Sequence, residues 1–349
     1  MPLLAYGCLL AILFGCATPT TRSVTVSDSA IKEEADRQKD FAVQSIVEEQ
    51  KRLARVYQRL STKAHRLCGG DLAPSTGAVY RSKTSGELAS AYERLYGITE
   101  RPSVLFVLDQ SPASAAGLHA RDVITHLNDT PVPSMVKFAE VYNNLRPEDP
   151  IRMQILRKGA PLAFVIRPEK ACRYPVVLTR DLAPNAYADG TRIALTRGMM
   201  AFAKDDFELS LVLAHELAHN AMHHMQAKKQ NMVGEFFAQL VAAMGTEVLG
   251  WSNDGKSSYS QEFEAEADYV GAYILAAAGL PFDGGSEFWR RMAALYPSNI
   301  DSTYAGSHSS IAYRLLAQRA TALEIKDKIE HAQPLEPNLK YGQAALSRR

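Results

Sequence analysis

Between residues 211 and 220 the chain reads LVLAHELAHN, and His215, Glu216 and His219 are the residues in it with the clearest chemistry. On a helix His215 and His219 lie one turn apart on one face, so both imidazoles can reach a single ion. Glu216 sits about 100° round that helix, off the ligand pair yet close enough to take a proton from water beside the ion. Zinc-assisted hydrolysis requires this arrangement. The metal brings the pKa of water to about 7, and a carboxylate accepts the proton as water attacks a carbonyl. The helix also has a start signal, Asp205 with Glu208 three residues on, and an apolar stripe at Leu209, Val212 and Leu213.

A catalytic zinc takes a third protein ligand and keeps one position open. His223 continues the same helical stripe, but it lies about 12 Å along the axis from His215, too far for one ion on a straight helix. A metzincin pattern fails as well, since Met222 stands where a glycine is needed and Met225 where a histidine is needed. His223 and His224 therefore read as surface or core residues. The better candidate lies in QEFEAEADYVGAYIL, residues 261–275, an apolar-faced helix bearing Glu262, Glu264, Glu266 and Asp268. Glu264 and Asp268 share a face at four-residue spacing, so Glu264 can ligate while Asp268 orients a ligand histidine. Glu262 and Glu266 point elsewhere and read as solvated.

These helices need a frame. Residues 31–67 carry Val43, Ile46, Leu53, Val56, Tyr57 and Leu60 at three- and four-residue spacing, which predicts one or two long amphipathic helices. Strands follow at 174–179 and 191–196, and beyond Phe202 the pattern is mostly helical to about residue 329, with a polar tail at 331–349. Residues 232–249 are apolar but carry Glu235, Gln239 and Glu247; they read as a core helix or a membrane-touching or substrate-touching one, not a span. Between Cys68 and Cys172 the texture changes. A β-rich run at 103–108, turns at Gly117 and Asn128-Asp129, a helical face from Met135 to Leu145 and a hairpin over 151–166 follow in order. This order resembles a PDZ domain of the bacterial periplasmic-protease type over about residues 78–170. Such domains take a peptide or C-terminus onto a sheet edge, with Tyr96-Gly97-Ile98 as the candidate carboxylate-holding loop. An inserted β domain without a ligand is the alternative.

The motifs taken in order, Asn185-Ala186-Tyr187, TRIALTRGMM, HELAH and EAEADYVGA, resemble the zinc metallopeptidase family of the heat-shock membrane protease and the CAAX prenyl endopeptidase. The likeness covers about residues 40–67 and 172–325. It implies an α+β protein: a mainly helical zincin-like metallopeptidase domain with a small sheet (31–67 and 172–330), interrupted by the β-rich PDZ domain. It also implies one zinc per chain on His215, His219 and Glu264, Glu216 as general base, Asp268 behind a ligand, and a substrate peptide extended along Asn185, Ala186 and Tyr187. His308 and Arg314, in SHSSIAYR, resemble the His-Pro…Arg element of the family's periplasmic branch, with Ser309 in place of proline. There the arginine lies near the active site, while His308 either stabilises the oxyanion or plugs the open position.

The first sixteen residues hold an apolar run too short to cross a bilayer and of signal-peptide length. The run ends in Leu13-Phe14-Gly15-Cys16, which resembles a bacterial lipobox with Cys16 as the lipidated residue; residues 17–30 then form a Ser/Thr-rich tether. Plain secretion is the alternative, and both place the protein outside the cytoplasm, with Ala17 favouring the outer membrane. Export leaves Cys68 and Cys172 as a candidate disulfide at the two ends of the insertion, closing a loop of about 100 residues and worth at most roughly 4–5 kcal/mol. The chain has 349 residues with 39 basic and 38 acidic side chains, a balance that argues against a nucleic-acid binder. The expectation is a lipid-anchored zinc endopeptidase of the periplasmic envelope that cleaves unfolded or misassembled envelope proteins. The rivals are a latent-protease chaperone or adaptor and an envelope lipoprotein whose zinc is structural.

Overall fold

The computed structural model describes residues 19–228, 230, 254–295, 297 and 311–340. The signal-like segment with Cys16, residues 232–249 and His308 lie outside the described residues. Among the described residues no helix is long and apolar enough to cross a membrane.

The longest element is α1 (Asp28–Lys63). It starts where the Ser27 hydroxyl accepts from the Ala30 amide at 3.3 Å, and it buries Val43, Val47, Leu53, Val56, Tyr57 and Leu60 at helical spacing. A 3-10 turn, His65–Cys68, ends it. The chain then enters the inserted domain through β1 (Leu72–Ser75) and leaves through β8 (Glu169–Cys172), which pair antiparallel with Leu72 opposite Cys172. A disulfide joins Cys68 to Cys172 at the foot of this ribbon, with Cα atoms 5.7 Å apart.

Between them lie β2 (Ala78–Arg81), α2 (Ala89–Tyr96), β3 (Ser103–Val107), α3 (Pro112–Ala115), β4 (Val123–Leu127), β5 (Thr130–Pro131), α4 (Met135–Asn143), β6 (Ile151–Arg157) and β7 (Ala160–Ile166). The sheet runs β2-β3-β4-β6-β7, with β5 beside β4. Strand β6 alternates inward Ile151, Met153 and Ile155 with outward Arg152 and Gln154, as a half-buried strand must. It turns into β7 over Lys158 and Gly159, both at positive φ, which matches the right-handed twist of a hairpin. Val104, Leu118, Ile124, Leu127 and Phe138 complete this core.

Helix α2 lies outside the elements expected from the sequence pattern. Its Ala91 and Tyr92, with Ile98, Leu105 and Phe106, pack on Val43 and Val47 of α1. Tyr96-Gly97-Ile98 ends α2, Gly97 closing it in the left-handed region, and Ile98 packs at a seam with α1 while the Thr99 carbonyl accepts from the Lys83 amide beyond β2. The edge strand near α4 is β2, whose Tyr80 ring lies 4.7 Å from Phe138 and 6.2 Å from Tyr142.

The second core gathers the C-terminal half of α1 with β9 (Val176–Thr179), β10 (Ala186–Ala188), β11 (Ile193–Thr196), α5 (Arg197–Phe202), α6 (Asp206–Ala221), α7 (Asp254–Ala277), α8 (Ser286–Leu295) and α9 (Ile311–Glu330). In its small sheet β11 is central and wholly buried, parallel to β9 and antiparallel to the edge strand β10. Arginines of α1 stitch this half together: Arg52 and Arg55 pair with Asp206, and Arg59 donates to the carbonyls of Ala278 and Gly279 at the end of α7. The fold is α+β, as expected.

Candidate metal centre

Helix α6 carries the motif and is fixed at its start. Asp205 accepts from the Glu208 amide at 2.8 Å, and Glu208 accepts from the Lys204 amide at 2.7 Å while pairing with Arg291 of α8 through both oxygens. Small residues let α7 approach closely. Ala214, Ala218 and Ala267 are fully buried, and a side chain on Gly271 would meet the backbone of Ala214 and His215 at 3.4 Å.

Three ligand atoms converge where the helices meet. His215 Nε2 and His219 Nε2 are 3.1 Å apart, and each lies 3.3 Å from an oxygen of Glu264. One atom from each of the three residues falls within 4.8 Å of the others. A tetrahedral ion bound at roughly 2.0–2.2 Å by nitrogen and oxygen sets neighbouring ligand atoms roughly 3.3–3.6 Å apart, so donor types and spacing suit zinc. Glu216, also buried, follows His215 on α6, near enough for its charge to act on His219.

Polar groups hold the ligands from behind. Asp268 Oδ1 lies 2.9 Å from His215 Nδ1, and Arg314 donates through Nε to Asp268 Oδ2 at 2.7 Å. The Arg314 guanidinium stacks 4.0 Å over the Trp289 ring and reaches within 3.7 Å of Glu264. Burial and then Arg314 push the His215 imidazolium down, but Asp268 and Glu264 together outweigh them and lift its pKa to about 10. Burial pushes Asp268 up, yet Arg314 and His215 hold it below the usual carboxylate range. Burial, the largest influence on His219, lowers its pKa.

The strand bearing Asn185, Ala186 and Tyr187 flanks this centre. Asn220, the residue after the motif, is fully buried. It accepts from the Gly190 amide at 2.8 Å and donates to the Arg192 carbonyl at 3.1 Å, tying the β10–β11 turn to α6. Asn185 donates through its amide to Thr196 Oγ1, Ala186 is buried, and Tyr187 is exposed on the edge strand.

The structure adds a contact to the expected placements. Glu266 is exposed, as expected, and its carboxylate also lies 3.0 Å from His224. His224 is only 3% exposed and touches His219. Nothing in helical spacing signals this contact, because it depends on the backbone turn at His223.

A His-Glu-x-x-His helix met by a second helix that supplies a glutamate defines a metallopeptidase of the gluzincin type. The sequence profile of peptidase family M48 matches residues 152–322, and a PDZ domain profile matches residues 83–167. Over 136 residues it is 29% identical to a beta-barrel assembly-enhancing protease of Vibrio cholerae, covering 34% of this chain and 28% of that protein. Over 129 residues it is 26% identical to the mitochondrial metalloendopeptidase OMA1 of Schizosaccharomyces pombe, covering 35% of this chain and 38% of that one. The matches thus span about a third of these relatives' own length. A solved HtrA3 PDZ domain bound to a phage-derived ligand is similar at 21% identity and a TM-score of 0.23, covering 29% of this chain and 88% of that one.

Proposed function

We propose that this metallopeptidase is a zinc endopeptidase that cleaves unfolded or misassembled proteins of the bacterial envelope. The observation that carries the reading is the meeting of His215, His219 and Glu264, backed by Asp268 and Arg314. These three side chains would hold the zinc. When bound, it supplies a Lewis acid for a peptide carbonyl and makes water acidic enough to attack near neutral pH. The Glu216 carboxylate takes the proton of the attacking water and returns it to the leaving amine. Strand β10 offers a free edge on which a substrate segment lies extended, its backbone held by strand pairing. Asp268 and Arg314 keep the His215 ring in one orientation.

The PDZ-like domain recruits substrate along the edge of β2, and Cys16 carries the lipid that holds the protein at the outer membrane, facing the periplasm. The named Vibrio relative, a beta-barrel assembly-enhancing protease, supports an envelope role. His308 acts at the open side of the site, on the oxyanion or as a plug. The disulfide Cys68–Cys172 fixes the base of the insertion.

The test compares cleavage of casein by the soluble protein lacking residues 1–16 with cleavage by Glu216→Gln, with zinc measured in both. The variant should lose about 10²- to 10⁴-fold in rate while keeping one zinc. Undiminished cleavage would remove Glu216 from the mechanism.

A further inference from the structure

The end of α6 places a third histidine beside the metal centre by an unusual route. Five residues beyond His219 along a continuous helix lies about 140° away from it, on another face. The helix does not continue. It ends at Ala221, and His223 takes a φ of +56°, a left-handed conformation that side chains other than glycine adopt at a cost. The His223 amide donates back to the Asn220 carbonyl, and its own carbonyl accepts from Ala227 as a new turn begins. This reversal swings His224 under the ring of His219.

There His224 is enclosed. It stacks on Phe263 with ring centres 4.8 Å apart and meets His219 edge-on at 4.9 Å. Its Nδ1 is 2.8 Å from His219 Nδ1, and its Nε2 is 3.0 Å from Glu266 Oε2. Proton counting leaves one consistent arrangement. If His219 gives the Nε2 lone pair to the ion, a neutral ring must carry its proton on Nδ1. That proton points at His224 Nδ1, which must then accept, so the proton of His224 sits on Nε2. The group facing that proton is the Glu266 carboxylate, an acceptor. Each link demands the next. A carboxylate therefore backs both histidine ligands: Asp268 reaches His215 directly, and Glu266 reaches His219 through His224.

We propose that His224 and Glu266 are positioning residues of the metal centre, the carboxylate fixing the tautomer of His224 so that it accepts the Nδ1 proton of His219 and aims Nε2 at the ion. The inference rests on the reading of His215, His219 and Glu264 as metal ligands. Partners behind a ligand histidine fix its orientation and raise its basicity, and their loss costs about 10- to 100-fold in metal affinity.

The experiment measures zinc affinity by competition with a chromophoric chelator, using purified protein stripped of metal. The variants are His224→Leu, His224→Gln, Glu266→Ala and the double variant His224→Leu with Glu266→Ala. Leucine fills the space without a hydrogen bond. Glutamine can accept from His219 and donate to Glu266. Glu266 is half exposed, so its truncation empties no core. His224→Leu and Glu266→Ala should each weaken zinc binding about 10- to 100-fold. His224→Gln should restore most of the loss, and the double variant should be no weaker than His224→Leu, since the two residues act in series. Zinc binding by His224→Leu or Glu266→Ala equal to that of the unaltered protein would overturn this inference alone, as would leucine and glutamine weakening it equally. Failure of the unaltered protein to bind zinc would overturn the metal centre and this inference together.

Discussion

A buried imidazole that is to hold a metal must first give up a proton, and at this site the proton is held tightly. Asp268 and Glu264 raise the pKa of His215 from 6.5 to about 10 against burial and Arg314. The sign follows directly. In the metal-free protein the charged His215 stabilises the fold fully below pH 6.5, and this contribution is lost as pH rises through about 10. Zinc uptake at pH 7 should then release close to one proton, and apparent affinity should rise about tenfold per pH unit over that window. Calorimetry of zinc binding in buffers of different ionisation enthalpy checks this, and no dependence on buffer would refute it. At this scale the candidate cluster was partly legible: helical periodicity puts His215 beside His219 and Glu264 beside Asp268, while the family resemblance brought the two pairs together. His224 was not. Its contact depends on a left-handed His223, and no glycine or asparagine marks that turn.

Elements position the site by close approach, and the segment between β9 and β10 shows how little slack there is. Gly198 opens α5 just after β11, and a side chain there would sit 2.1 Å from the Leu182 carbonyl oxygen and 2.5 Å from the Ala183 carbonyl carbon. Backbone cannot step aside cheaply. Thr196, two residues earlier, donates to the Ala183 carbonyl at 2.7 Å and accepts from the Asn185 amide at 2.9 Å, so the same segment sets where β10 begins. Gly198→Ala should cost about 1–3 kcal/mol, read as a lower denaturant midpoint. It should also reduce kcat/KM by displacing the β10 edge proposed to hold substrate. An unchanged midpoint would mean the 182–183 backbone yields freely. In the second core β9, β11, α1, α6 and α7 were legible from the sequence pattern, whereas β10 came only with the family resemblance and α5 was not read. Helix α2 was not, because eight residues without a side-chain cap gain their stability from tertiary contact with α1, which no local pattern encodes.

Among the described residues, α1 carries packing contacts of both the peptidase half and the inserted domain. Val43 and Val47 of α1 face the inserted domain, while Leu53, Val56, Tyr57 and Leu60 belong to the peptidase core. The main hydrophobic cluster of the inserted sheet contains no residue of α1. Among the described residues, coupling between the halves includes the Val43–Val47 seam, the Arg94–Asp40 ion pair beside it, the Arg173 guanidinium donating to the Asn143 carbonyl and the disulfide at the foot of the β1–β8 ribbon. The insertion's outline was legible from turn spacing and the two surviving cysteines, but the seam was not, since it joins residues about fifty positions apart. Replacing Cys68 and Cys172 by Ser should cost about 2–4 kcal/mol and leave both cores folded. Adding Val43→Ala and Val47→Ala, each worth about 1–2 kcal/mol, should remove most of the remaining coupling. Calorimetry of the combined variant should then show two separate unfolding transitions, with only the peptidase transition moving on zinc addition. A single zinc-sensitive transition would mean that the inserted domain draws its stability from contacts beyond the seam, the ion pair and the disulfide.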